Sequence, residues 1–311
     1  MQDFLWVEKY RPKTVNDTIL PFDLKKVFQE FVDQGNIPNL ILAGGPGVGK
    51  TTIAKAMLEQ LQCDYITING SMYGNIDTLR NEINQFASSV SFQGGRKYVI
   101  LDEADYLNAN STQPALRNFM EEFSKNCGFI LTCNFKNRII SPLHSRCSVI
   151  DFTIKSNEKP KLATDFFARV KGILESENVT YDEKVVAAFI SKHFPDWRRV
   201  LNELQRYSAT GSIDAGILAN LQETSIKELV GHMQKKNFTE VRKWVASNMD
   251  NDVNAIFRKL YNASSDIMKA GSVPALCLTL ADYQYKAAFV ADQELNLVAC
   301  LAEVMVNCEF K

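Results

Sequence analysis

Residues 44–51 read GGPGVGKT, and the spacing Gly44-x4-Gly49-Lys50-Thr51 is that of a loop built to hold a nucleoside triphosphate. Glycines let the backbone turn its N–H groups inward around phosphate oxygens with no side chain in the way. A helix starting here adds the positive potential of its N-terminus. The expected ATP ligands are therefore Gly44, Gly45, Pro46, Gly47, Val48, Gly49, Lys50, Thr51 and Thr52. Lys50 neutralises charge near the β and γ phosphates, and the Thr51 hydroxyl supplies an oxygen to Mg²⁺. Thr52 reads as a helix-start residue that bonds locally. Taken alone, the loop implies a bound triphosphate but does not separate a kinase from a motor.

Two later segments supply the missing chemistry. The apolar run YVIL (98–101) ends in Asp102 and Glu103, which places two carboxylates at the C-terminal end of a buried strand, where α/β sheets bind ligands. Asp102 is positioned for the Mg²⁺ shell, and Glu103 to orient and deprotonate a water for in-line attack on the γ phosphate. Another run, FILTC (129–133), ends in Asn134, whose amide could bond both the γ phosphate and the lytic water. From the residue alone, a turn-forming asparagine remains the competing reading. Asp105 reads as a capping or surface residue.

These groups need a scaffold that brings strand ends together. Short apolar, β-branched runs recur at 39–43, 65–68, 98–101, 129–133 and 148–152, with helix-period segments at 51–61, 76–90, 112–123 and 139–144 between them. The alternation predicts a five-stranded parallel sheet with helices on both faces, an α/β P-loop NTPase core. Beyond Phe152 only amphipathic helical segments are expected, over 159–176, 182–192, 197–208 and several more to the end. Polar joints at 155–159 and 221–225 suggest three domains, a nucleotide-binding core at 1–155 and all-α domains at 156–222 and 223–311.

Composition narrows the setting. In 311 residues, Lys and Arg number 35 against 36 Asp and Glu, a net charge of −1, so any contact with a polyanion must be local. Seven scattered cysteines form no CxxC pair and read as reduced, buried thiols. The N-terminus MQDFLWVEKYRP lacks a signal-peptide pattern, and the strongest apolar stretch, 295–306, is well short of the roughly 20 residues a membrane helix needs. A cytoplasmic protein is expected, in an infected bacterial host if the chain is phage-encoded.

The motifs, in this order, resemble those of the AAA+ ATPases, in which the asparagine after the fourth strand is termed sensor 1. Within that class, Trp6–Pro12 (WVEKYRP) resembles the N-terminal box of replication factor C-type clamp loaders, Asp102–Asp105 (DEAD) their acidic strand end, and Ser145-Arg146-Cys147 their SRC motif. Pro195-Asp196-Trp197-Arg198-Arg199 is similar to their sensor 2 segment. Over 184–218 the likeness is to the large ATPase subunit of T4-type phage clamp loaders in particular. The resemblance implies that the all-α domains at 156–222 and 223–311 are a lid and a collar, and that Tyr10, Arg11 and Pro12 pack at the adenine. It also implies that Arg198 meets the γ phosphate from the lid and that Arg146 acts as an arginine finger in a neighbouring subunit's site.

It further implies an ATPase that opens a sliding clamp and loads it on primer–template DNA during replication, with hydrolysis releasing the closed clamp. The implied partners are further copies of the chain, a smaller loader subunit, the clamp and DNA. Candidate DNA contacts are Asn75, Arg80, Ser111 and Thr112, although 71–76 (SMYGNI) carries no lysine where the family's DNA-facing region has one. Arg96 and Lys97 add a small basic patch. Two alternatives stand beside this reading: another AAA+ DNA-remodelling motor or helicase loader, and a nucleotide-binding scaffold without hydrolysis. The WVEKYRP box and SRC motif disfavour the first; Lys50, Glu103 and Arg146 argue against the second.

Overall fold

The computed structural model describes residues 4–72, 76–91, 94–209, 211–213, 226–249 and 253–311. The chain divides into two compact units, Met1–Ile217 and Leu218–Lys311.

The first unit opens with a helical turn, α1 (Trp6–Lys9), and then α2 (Phe22–Asp33), a helix that the strand-and-helix pattern of the sequence did not single out. The core follows as β1 (Leu40–Ala43), α3 (Lys50–Gln60), β2 (Tyr65–Asn69), α4 (Ile76–Ser88), β3 (Lys97–Asp102), α5 (Thr112–Glu122), β4 (Cys127–Cys133), α6 (Ser141–His144) and β5 (Ser148–Asp151). All neighbouring strands pair in parallel, in the order β2-β3-β4-β1-β5. The strand period of two sorts side chains to opposite faces. Ile41, Ala43, Val99, Leu101, Phe129 and Leu131 pack with Leu79 and Ile83 of α4 and Leu116 and Phe119 of α5. Their alternates Leu40, Leu42, Tyr98, Ile100 and Ile130 pack with Phe28 of α2 and Ile53, Met57 and Leu58 of α3. Helices on both faces follow from strands that are apolar on both sides.

Because β4 lies between β1 and β3, the C-terminal ends of those three strands, which lead into the P-loop, Asn134 and Asp102, stand side by side. The opposite edge is closed structurally. Lys97 is buried, and its ammonium donates to the carbonyls of Phe86 and Ser89 at the C-terminus of α4, while Arg96 donates to the carbonyls of Ile37 and Cys127. The expected basic patch at 96–97 is therefore not formed, because both cations cap backbone carbonyls.

The lid segment of this unit comprises α7 (Lys159–Ser176), α8 (Glu183–His193) and α9 (Trp197–Ser208). It is not wholly helical: β6 (Thr180–Tyr181) pairs in parallel with β7 (Ser212–Ile213). Two-residue strands carry too little periodicity to read from sequence. Asp182 and Asp196 cap α8 and α9, accepting from Lys184 N and Arg199 N at 2.8 and 3.0 Å. Phe189 is fully buried, and Phe166 stacks on Trp197 at 4.3 Å between ring centres.

The second unit is helical over α10 (Ile226–Gln234), α11 (Phe238–Ser247), α12 (Val253–Ile267), α13 (Val273–Ala287) and α14 (Gln293–Asn307). Its core gathers Leu229, Trp244, Phe257, Leu276, Leu297 and Leu301. The joint expected at 221–225 lies outside the described residues. No described helix is long and apolar enough to cross a membrane.

Candidate active site

The P-loop owes its path to three glycines. Gly44 has no room for a side chain, since a Cβ there would lie 2.8 Å from Phe152 Cβ. Gly47 and Gly49 adopt φ of 69° and 97°, a region L-residues rarely occupy, and Gly49 is the N-cap of α3. Lys50, the first residue of α3, reaches back over the loop. Its ammonium donates to Gly44 O at 2.8 Å, Gly45 O at 2.7 Å and Asn134 Oδ1 at 3.0 Å. Burial pushes its pKa below the ordinary lysine value, while Asp102 and Asp105 pull it back up. An anionic phosphate is the natural counterion for an ammonium held in this way.

At the end of β3, Asp102 Oδ1 accepts from Thr51 Oγ1 at 2.7 Å and from Thr132 Oγ1 at 2.5 Å. Thr132 also accepts from Glu103 N at 3.1 Å, which ties the acidic pair to β4. Glu103 itself takes a left-handed conformation, φ 55°, uncommon for a non-glycine residue and typical of functional turns. Among the described residues nothing hydrogen-bonds to its carboxylate. Lys50, Thr51, Asp102, Glu103 and Asn134, from three separate segments, are thus brought to one sheet edge. Asp105 departs from expectation: it is buried, and Oδ2 accepts from the backbone amides of Asn134 and Phe135, both at 3.2 Å.

A cleft of ≈ 810 Å³, counting its open mouth, runs from Gly47–Thr52 between the N-terminal box and the lid. Tyr10, Arg11, Pro12 and Arg198 line it. Sequence reasoning missed Thr18, Ile19, Leu20, Phe166 and Leu201, which also border the cleft. Side chains join box to lid around this space. Glu177 accepts from Lys9 Nζ at 2.6 Å and Tyr10 Oη at 2.5 Å, bonds that hold the Glu177 carboxyl below its ordinary pKa. Gln205 of α9 accepts from Trp6 N at 2.9 Å and donates to Phe4 O at 2.8 Å. Thr52, expected to bond locally, instead accepts from Arg11 at 3.3 Å. On the lid side, Trp197 N donates to Gly47 O at 3.2 Å.

Arg146 points elsewhere. It follows α6, and its guanidinium pairs with Glu121 of α5 and donates to Pro142 O at 2.9 Å. Of the candidate DNA contacts, Asn75 lies outside the described residues and Arg80 is exposed on α4. The start of α5 does not fit the role expected of it. Asn108 accepts from the backbone amides of Ser111, Thr112 and Gln113, and Thr112 is buried. No amide is left there for a phosphate; Ser111 keeps only an exposed side chain.

A parallel sheet in this strand order, a P-loop and an acidic strand end define a P-loop ATPase of the AAA+ class. The model of the ATPase family associated with various cellular activities matches residues 40–154, and that of the sliding-clamp-loader large subunit, AAA+ ATPase lid domain, matches 158–219. The sliding-clamp-loader large subunit of Escherichia phage RB69 is 38% identical over 240 residues, 76% of this chain and 75% of that protein. The replication factor C small subunit of Saccharolobus solfataricus is 31% identical over 325 aligned residues, 98% of this chain and 96% of that protein. The chain belongs to the clamp-loader family of AAA+ ATPases. Among solved structures, the Thermotoga maritima RuvB Holliday junction branch migration motor superposes with a TM-score of 0.54 at 19% identity, covering 68% of this chain and 72% of that one, a likeness of fold alone.

Proposed function

We infer that this chain is the ATP-driven subunit of a sliding-clamp loader, working with further copies of itself and a smaller subunit to open the clamp and place it on primer–template DNA. ATP closes the cleft, DNA completes the sites, and hydrolysis releases the closed clamp. The observation that carries this reading is the cleft itself, bounded by the P-loop on one side and by box and lid residues hydrogen-bonded to each other on the other. A nucleotide seated there touches every part that must move.

Within the site, Lys50 holds the β and γ phosphates, Arg198 meets the γ phosphate from the lid, and Tyr10, Arg11 and Pro12 flank the adenine. Glu103 takes the proton of the attacking water, and Asn134 orients that water against the γ phosphate. The hard oxygens of Thr51 and Asp102, 2.7 Å apart, fit Mg²⁺, which keeps few protein ligands and neutralises phosphate charge when bound. Arg146 is assigned to the neighbouring subunit's γ phosphate.

The test is the ATPase rate with and without primer–template DNA, a candidate clamp and a smaller loader subunit. Synergistic stimulation by clamp and DNA together is expected; a rate indifferent to the clamp removes the clamp-loading assignment while leaving the ATPase intact.

A further inference from the structure

Asp105 is a buried carboxylate, 5% exposed, that the chemistry described so far does not use. Its Oδ2 accepts the backbone N–H groups of Asn134 and Phe135 at 3.2 Å each. Among the described residues its Oδ1 has no hydrogen-bond partner. No cation pairs with it within salt-bridge range among the described residues. A carboxylate in this setting is costly unless it performs a task that an apolar side chain cannot. The task visible here is to fix a backbone. Asn134 is the first residue beyond β4, where the sheet ladder no longer restrains the chain, and its side chain must meet the Lys50 ammonium at 3.0 Å. The short 3-10 turn Ala104–Tyr106 that follows the left-handed Glu103 delivers Asp105 under that strand end.

We propose that Asp105 is a positioning residue for hydrolysis, holding the Asn134 backbone so that its amide faces Lys50 and the γ phosphate. It touches neither nucleotide nor water and acts only through Asn134. The inference rests on the role given to Asn134 above. Lys50 keeps its two bonds to the Gly44 and Gly45 carbonyls when Asn134 is displaced, so nucleotide binding survives while turnover falls. The DEAD-like string thus divides its three acids among metal shell, base and alignment of the opposing strand.

The experiment is a double-mutant cycle in the full chain, with wild type and variants measured in the same assembly. Asp105→Ala is expected to lower kcat about tenfold, with Kd for a fluorescent ATP analogue within about twofold of wild type. Asp105→Asn, which keeps an oxygen to accept both amides and a similar volume, recovers most of the rate and guards against misfolding of the alanine variant. Amide exchange at Asn134 and Phe135 accelerates in Asp105→Ala and not in Asp105→Asn. Combining Asp105→Ala with Asn134→Ala adds nothing beyond Asn134→Ala alone. If Asn134→Ala slows turnover but the Asp105 effect is additive to it, or if kcat falls and Kd rises together in both Asp105 variants, the positioning role is overturned. Normal turnover in Asn134→Ala overturns the role of Asn134 itself, and with it the path by which Asp105 acts.

Discussion

Glu103 carries a backbone that most residues avoid, and among the described residues no hydrogen bond holds its carboxylate, whereas Asp102 beside it is held by two hydroxyls. That asymmetry fits the proposed division of labour, with Glu103 as the base and Asp102 in the metal shell. Glu103→Gln therefore retains ATP binding and loses turnover by at least about a hundredfold, the usual range for removing a general base; an unchanged single-turnover rate excludes Glu103 as the base. A second residue-scale expectation concerns the thiols. Burial pushes Cys127 and Cys133 up to about 11 and Cys147 and Cys300 up to about 12, from an ordinary 9.0. The folded state holds these protons more tightly, so stability is unaffected below about pH 9 and falls as pH rises from 9 toward 11–12, by about 1.4 kcal/mol per pH unit for each thiol. Denaturant midpoints at pH 8 and 10 check the sign, with a cysteine-to-serine variant at Cys300 flattening the decline. The sequence made the phosphate ligands legible because they are contiguous. It did not show the fate of Asp105, because burial there is decided by a strand 29 residues away in the chain.

At the scale of elements, the P-loop and lid are fitted to each other without clearance. A Cβ at Gly47 would stand 1.7 Å from Asp196 Oδ1 and 3.0 Å from its Cα, at a φ of +69° that already disfavours a side chain. Gly47→Ala must displace either the loop or the start of α9. Nucleotide affinity is expected to fall at least about tenfold, with proteolysis of the lid faster than in wild type; an unaltered Kd shows that the contact yields easily. Between α5 and the segment before α6, buried Gln113 donates to Leu107 O and Arg138 O at 3.0 Å each and accepts from Ile140 N at 2.8 Å. Gln113→Leu leaves three backbone groups without their partner, that of Leu107 buried and those of Arg138 and Ile140 partly so, and is expected to destabilise the first unit by about 2 kcal/mol, read from the denaturant midpoint. The central strands β1, β3 and β4 were legible from their apolar, β-branched runs because strands buried on both faces carry that signature, whereas the edge strands β2 and β5 are partly exposed and were legible from β-branched residues alone. The α2 helix was missed, although Phe28 and Val32 lie in the core, and so was the hydrophobic wall of the cleft. Thr18, Leu20, Phe166 and Leu201 come from distant segments with no shared spacing.

For the molecule as a whole, a net charge of −1 gives no general attraction to DNA, so function must come from assembly and local contacts. In the proposed assembly, Arg146 is the residue assigned to a neighbouring subunit's site. In this single chain its guanidinium is spent on Glu121, and the side chains are 31% and 54% exposed. Surface pairs of that kind contribute about 0.2–1 kcal/mol. An arginine finger raises turnover 10³–10⁵-fold, equivalent to about 4–7 kcal/mol in the transition state. Release from Glu121 therefore costs little against what a neighbouring γ phosphate offers, and the isolated chain should turn over ATP slowly. The same magnitudes predict the outcome of mixing. Assemblies formed from wild type and Arg146→Ala subunits should lose activity at sites whose own residues are intact. Placing Glu103→Gln on the same chain as Arg146→Ala separates the effects: that chain's own site is already silent, so any further loss belongs to its neighbour. A rate that tracks only the number of intact wild-type sites, with no such further loss, would show that Arg146 serves its own ATP or none. Glu121→Ala leaves stability within about 1 kcal/mol of wild type and the assembled rate undiminished, since the pair it breaks is one that assembly must break.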